Sequence, residues 1–153
     1  MPDSRELSPP ECERLLRRGG IGRVALSTPE GPLIIPVDFT VFEDTIVIRT
    51  SAYSALGTYG RDKMLAFEVD HLDQDRQTGW SVVARGRAWG ETDAAEVARI
   101  RAHSAPQPWA SASRNVYLRI RWSQLSGRAL GDQRTRGPES SRPHTRTGTR
   151  LAL

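Results

Sequence analysis

From Gly79 to Trp89 the side chains alternate with a period of two. Trp80, Val82, Ala84, Gly86 and Ala88 fall on one face, and Ser81, Val83, Arg85, Arg87 and Trp89 on the other. That period belongs to an extended strand, and a strand with one apolar face must be covered by other elements. Small residues at 84, 86 and 88 predict close approach of a ligand or a neighbouring backbone. The pattern recurs along the chain. Ile21, Val24, Ala25 and Leu26 run to a Thr28-Pro29-Glu30-Gly31 turn, a second strand covers Leu33 to Val41, Glu43-Asp44 turns the chain, and Thr45 to Thr50 is a third. Met64 to Asp70 reads as a fourth strand, followed by an acidic loop from His71 to Thr78. A last strand is expected over Asn115 to Trp122, where Val116, Leu118, Ile120 and Trp122 alternate with Tyr117, Arg119 and Arg121.

Helices are short and sit between these strands. Ser8 and Glu11 form a capping box around Pro9, and Cys12, Leu15 and Leu16 share one face before Gly19-Gly20 ends the helix. Residues 51–60 predict one or two helical turns, and Asp93 with Glu96 predicts a helix to about Ala102. Ser104 to Ser113 reads as a loop around Pro106 and Pro108. Five or six strands with short helices make the fold class mainly β and point to a small barrel.

Charge divides the chain. The formal net charge of +4 lies entirely beyond residue 127, because the residues before it carry equal numbers of acidic and basic groups. From Gly131 the sequence is dominated by Arg, Ser, Thr, Gly and Pro, so residues 1–130 are read as one domain and 131–153 as a disordered tail. The tail arginines lack interleaved aromatics, and nucleic acid is not expected as a partner. No apolar stretch approaches a membrane span and no secretory leader is evident, so the expectation is a soluble, cytoplasmic protein. Cys12 is the single cysteine, and with His71, His103 and His144 scattered no metal site is expected.

Two local patterns carry chemistry. Arg49-Thr50-Ser51-Ala52-Tyr53-Ser54-Ala55-Leu56 joins a strand end to a helical turn, and an arginine fork with hydroxyls and free amides suits a phosphate monoester. The same residues also suit a plain turn with Ser and Thr as caps. Trp80 and Ser81 open the longest strand, where an indole beside a planar ring and a hydroxyl toward its heteroatoms form a second candidate; the alternative is a core tryptophan. No glycine-rich phosphate loop, nucleophile triad or carboxylate pair is present.

In order, Gly22-Arg23-Val24-Ala25, Pro36-Val37-Asp38-Phe39, Ile48-Arg49-Thr50, Ala66-Phe67-Glu68-Val69-Asp70, Gly79-Trp80-Ser81-Val82-Val83 with Gly86-Arg87-Ala88, and Ser126-Gly127-Arg128 follow a known succession. Over residues 8–130 the chain resembles the pyridoxamine 5′-phosphate oxidase-like flavoproteins, in particular the small bacterial members. The resemblance implies a six-stranded antiparallel split β-barrel, a homodimer, and FMN in a cleft between subunits. It implies that Arg49, Thr50 and Ser54 meet the flavin phosphate, that Pro36, Val37, Asp38 and Phe39 run along the isoalloxazine, and that Trp80 and Ser81 contact the ring or ribityl chain.

The implied activity is a flavin-dependent oxidoreductase moving a hydride to or from a small organic substrate. Three positions depart from the family pattern: Ala55 replaces a lysine, Asp38 an asparagine and Phe39 a tyrosine. Arg61 or Lys63 is then a candidate replacement for the lysine. Vitamin B6 oxidation itself is not expected, since its substrate-phosphate cluster and C-terminal arginine segment have no match. The alternative class is a non-catalytic dimeric barrel for a deazaflavin or haem, with His71 and His103 as candidate axial ligands.

Overall fold

The structure, a computed structural model, describes residues 4–104 and 116–131. β1 (Ser4–Glu6) leads to α1 (Pro9–Leu16), and β2 (Gly20–Thr28), β3 (Gly31–Phe42) and β4 (Thr45–Thr50) follow as a meander. The short helix α2 (Ala55–Tyr59) connects to the hairpin β5 (Met64–Asp73) and β6 (Thr78–Glu91), and α3 (Ala94–Ser104) precedes β7 (Val116–Leu130). The strand order is β1-β7-β4-β3-β2-β5-β6, with β6 pairing back onto β7. Six strands thus close an antiparallel ring, and β1 adds three residues to the far end of β7. The mainly β fold read from the alternation is the one observed.

Alternation explains which residues fill the ring. Val24, Phe39, Ile48, Phe67, Val82, Leu118 and Ile120 are each no more than 1% exposed and form one inner core. Phe39 and Phe67 meet edge to face with centroids 4.6 Å apart. A second, smaller cluster lies outside the ring, where Ile100 of α3 covers Phe42, Val47 and Tyr117. Arg119 fastens this layer. It is 4% exposed, donates to Glu91 and Glu96 at 3.0 Å and to the Thr45 hydroxyl at 3.1 Å, and lies between the Phe42 and Trp89 rings.

α1 packs its buried Cys12, Leu15 and Leu16 against the inner core. Its cap has the expected form: Ser8 N–H donates to the Glu11 carboxylate at 2.8 Å and the Ser8 hydroxyl accepts from Glu11 N–H. Gly127 permits the approach, since a Cβ there would stand 2.9 Å from Cys12 Sγ and 2.8 Å from the Ser81 carbonyl. The arginine of β1 reaches the same cap, with Arg5 donating to Glu11 at 3.0 Å.

Two boundaries differ from the sequence reading, each for a local reason. β7 runs on to Leu130 rather than stopping at Trp122, because a bulge opposite Arg85/Gly86 inserts Ser123. The inward set changes there from Leu118, Ile120 and Trp122 to Leu125, Gly127 and Ala129, which breaks the period of two. Gly86 sits opposite that bulge, and a Cβ on it would overlap the Arg121 carbonyl, as the small-residue run led us to expect of a neighbouring backbone. His71 to Asp73 continue β5 rather than forming loop, pairing with Thr78 to Trp80. Of the expected 104–113 loop and the 131–153 tail, only Ser104 and Gly131 are described.

β4 is short, and this shapes the outer surface. It pairs with Phe39–Phe42 of β3 and with Val116–Arg121 of β7. The β3 edge from Gly31 to Asp38 therefore has no strand partner among the described residues. Pro32 and Pro36 sit on that edge, where a missing N–H is tolerated.

Two measurements check this account. Phe67→Ala should lower the unfolding free energy by about 3–5 kcal/mol in urea titration, whereas Met64→Ser, at a position 62% exposed, should change it by less than about 0.5 kcal/mol. The Arg5 and Ser8 hydrogen bonds hold Glu11 down at about 2. Its contribution to stability is then present above the ordinary glutamate value and lost as pH falls through the folded one. Glu11→Gln should flatten the stability profile between roughly pH 4.3 and pH 2.

Candidate functional site

The turn between β4 and α2 holds the first group of candidates. Strand alternation sends Arg49 to the outer face, its guanidinium 5.7 Å from the centre of the Tyr117 ring, and Thr50 to the inner side, where it is 6% exposed. Ser54 is the N-cap of α2. Its hydroxyl accepts from Gly57 N–H at 3.0 Å, donates to the Ser51 carbonyl at 2.8 Å and meets the Thr50 hydroxyl at 2.8 Å. A hydroxyl has one proton and two lone pairs, so Ser54 is saturated and Thr50 is the donor in their shared bond. Neither keeps a proton for a ligand in this geometry.

Ser51 is different. Its hydroxyl accepts from Tyr53 N–H at 3.3 Å and its own proton has no acceptor among the described residues. Ser51 lies within the run that drew attention in the sequence but was not singled out. The signal was the Ser54-x-x-Gly57 cap, which marks Ser54 as structural and leaves Ser51 as the available hydroxyl. Ala55 opens α2 without a charge. Arg61 does not reach into its place, because its Nε donates to the Gly57 carbonyl at 2.8 Å along α2, while Lys63 is exposed.

The β3 candidates divide between faces. Pro36 and Asp38 face outward; Val37 and Phe39 face the core, Phe39 being 1% exposed. For the latter two the backbone, not the side chain, is what the outer surface offers. The β3–β4 ladder ends at the Phe39–Ile48 pair, and one further step of that register sets Asp38 beside Arg49. Pro36, Asp38 and Arg49 therefore form one outer strip along the unpaired edge of β3. Across from it on β2 lie Ile21, 50% exposed, opposite Asp38, and Arg23 opposite Pro36. Arg23 bonds Glu68 at 2.9 Å, and this contact raises its pKa above the ordinary arginine value.

Trp80 and Ser81 belong elsewhere. Trp80 turns inward, 8% exposed, stacked on His71 with centroids 6.4 Å apart and touched by Arg18. Ser81 faces out and lines a pocket of about 430 Å³ with Glu6, Leu7, Val83, Ser126 and Arg128. The Ser81 and Ser126-Gly127-Arg128 motifs are thus brought together, Ser81 being paired directly with Arg128. From Asp38 to Ser81 the sheet crosses β2 and β5, three strand spacings or about 14 Å on a curving surface. His71 and His103 do not converge: the first stacks on Trp80 and the second meets Phe42 edge-on at 5.5 Å. No group of three metal-ligating side chains occurs among the described residues, and no described helix is long and apolar enough to cross a membrane.

Comparison with known proteins adds the following. A family model described as pyridoxamine 5′-phosphate oxidase matches residues 8–129. An uncharacterised protein of Mycobacterium tuberculosis is 32% identical over 136 residues, spanning 85% of this chain and 88% of that protein. The structure of the FAD binding protein from Mycobacterium smegmatis superposes with a TM-score of 0.70 at 28% identity, covering 82% of this chain and 98% of that one. A candidate pyridoxamine 5′-phosphate oxidase from Corynebacterium glutamicum gives a TM-score of 0.72 at 27% identity, with 85% and 94% covered.

The division of labour within the turn can be measured on stability alone. Ser54→Ala should cost about 1 kcal/mol in urea unfolding through loss of the cap. Ser51→Ala should cost less than about 0.5 kcal/mol, since its proton has no acceptor among the described residues.

Proposed function

Because the chain belongs to the pyridoxamine 5′-phosphate oxidase family, we propose that it is a flavoprotein that holds FMN and acts as an oxidoreductase on a small organic substrate. The observation that carries this reading is the continuous outer strip of Pro36, Asp38 and Arg49 beside an unpaired strand edge. It offers a cation at one end and flat, open backbone along the rest. The relative from Mycobacterium smegmatis, which is named for FAD binding, supports the flavin class.

The residues fit the group in a definite way. Arg49 meets the phosphate with its fork, and the Ser51 hydroxyl donates to the same anion. Thr50 and Ser54 act through each other, holding the turn that presents Arg49 and Ser51. The ring lies along Pro36 to Phe39, where the free N–H and C=O groups of the β3 edge face its heteroatoms. The Asp38 carboxylate repels negative charge that builds up beside it and so sets a cost on an anionic reduced ring. A bound flavin supplies hydride transfer.

A second copy of the chain completes the site. Ile21 and Ile34, 50% and 65% exposed, flank the strip and are covered when two barrels pair there. Ser81, three strands away in its own protomer, then reaches the ring from the partner side, and Trp80 backs the strand that carries it.

The reading is tested by the visible spectrum and mass of the purified protein. Flavin absorbance, either as isolated or after adding micromolar FMN, and a dimer in sedimentation are expected. Arg49→Ala should weaken FMN binding by about 10–100-fold, the cost of one charged hydrogen bond of about 1.5–3 kcal/mol. A colourless protein that takes up neither FMN nor FAD overturns the flavin class. Uptake of FAD alone would move the assignment to the dinucleotide.

A further inference from the structure

We infer that Arg101 of α3 is the second cation of the phosphate site, a specificity residue that senses the charged tail of the flavin; this rests on the flavin reading above. A phosphate dianion held by Arg49 alone keeps half its charge uncompensated. The structure brings a second guanidinium to the same tyrosine ring from a different element. Arg49 lies 5.7 Å and Arg101 5.6 Å from the centre of the Tyr117 ring, so the two guanidinium carbons are separated by at most twice that distance.

Arg101 is also held in position. Its Nε donates to the Tyr117 hydroxyl at 3.0 Å, and Tyr117 itself is 1% exposed and fixed in the outer cluster. That bond uses Nε and leaves the two terminal amino groups of the fork without a partner among the described residues. α3 cannot drift from the sheet without pulling Ile100 from its cluster and Glu96 from Arg119. The neighbouring carboxylates do not neutralise Arg101. Glu43 and Glu96 are engaged by Arg99 at 2.7 and 2.6 Å, and Glu91 by Arg119.

Two arginines on one rigid ring suit an anion with several oxygens, either the monophosphate of FMN or the diphosphate of FAD. The neutral ribityl chain of riboflavin gives Arg101 nothing to bind. The inference therefore predicts a difference between flavins rather than a general loss of affinity.

The experiment is fluorescence titration of the full chain with FMN, FAD and riboflavin, at two salt concentrations. Arg101→Ala and Arg101→Gln are compared with the parent and with Arg85→Ala, an exposed arginine on β6. Circular dichroism confirms that each variant is folded. Both Arg101 variants should lose about tenfold or more in affinity for the phosphorylated flavin the parent binds, with riboflavin affinity unchanged and a shallower salt dependence. Arg85→Ala should match the parent. Loss confined to FMN or to FAD identifies which phosphate tail the site takes. Equal loss for riboflavin, or no loss at all, overturns the role of Arg101 while the flavin assignment stands. A parent that binds none of the three flavins overturns the flavin reading, and the inference with it.

Discussion

β7 is the strand on which the rest of the molecule is registered. One of its edges pairs with β6 from Tyr117 to Leu130, and its other edge takes β4 at one end and β1 at the other. Closing a ring removes the free edges that an open sheet would expose. Two junctions of the ring are short, β2 with β5 over three residue pairs and β3 with β4 over four, and the second leaves Gly31–Asp38 of β3 without a strand partner on that side among the described residues. Thr50 must turn inward to meet Ser54, and the chain departs into α2. The consequence is an unpaired stretch of β3 that leaves backbone open next to Arg49.

The outer layer depends on one buried cation. Arg119 is 4% exposed, and a lone charge there would be costly. Glu91, Glu96 and Thr45 surround it, and Phe42 and Trp89 cover its faces. Because the ion pairs cross from β7 to α3, the same interaction that satisfies Arg119 also sets where α3 lies over the sheet. The position of Arg101 on Tyr117 is downstream of that fastening. A link from a buried charge, through a helix, to a surface arginine is not visible in any local stretch of sequence.

Much of the fold could nevertheless be read from the chain. Alternation gave five of the seven strands to within a few residues at each end, and capping residues placed α1 and α3. The rest failed where the physical basis of the pattern fails. Ser123 breaks the period, so the second half of β7 had no matching signature, although Leu125 packs against the core and Ala129 is buried. β1 is three exposed residues whose strand character comes wholly from pairing with Arg128 to Leu130. Among site residues, Arg49 and Asp38 could be placed on one surface only by combining two strand registers. Trp80 resolved to the commoner fate of tryptophan, because its face of β6 is the core face.

The β4–α2 turn shows why residue types alone misassign donors. Thr, Ser and Arg at this spacing suit a phosphate because each carries a hydrogen to give, yet a hydroxyl has only one. At Ser54 that proton goes to the Ser51 carbonyl, and at Thr50 it goes to Ser54. Recruiting either for a ligand would leave a half-buried carbonyl or hydroxyl without its partner, at a cost similar to the bond gained. Arginine is less limited in this way, since a guanidinium carries five donors. On the proposed reading, selectivity for a charged flavin tail falls to the guanidiniums of Arg49 and Arg101 and to the Ser51 hydroxyl, rather than to Thr50 and Ser54.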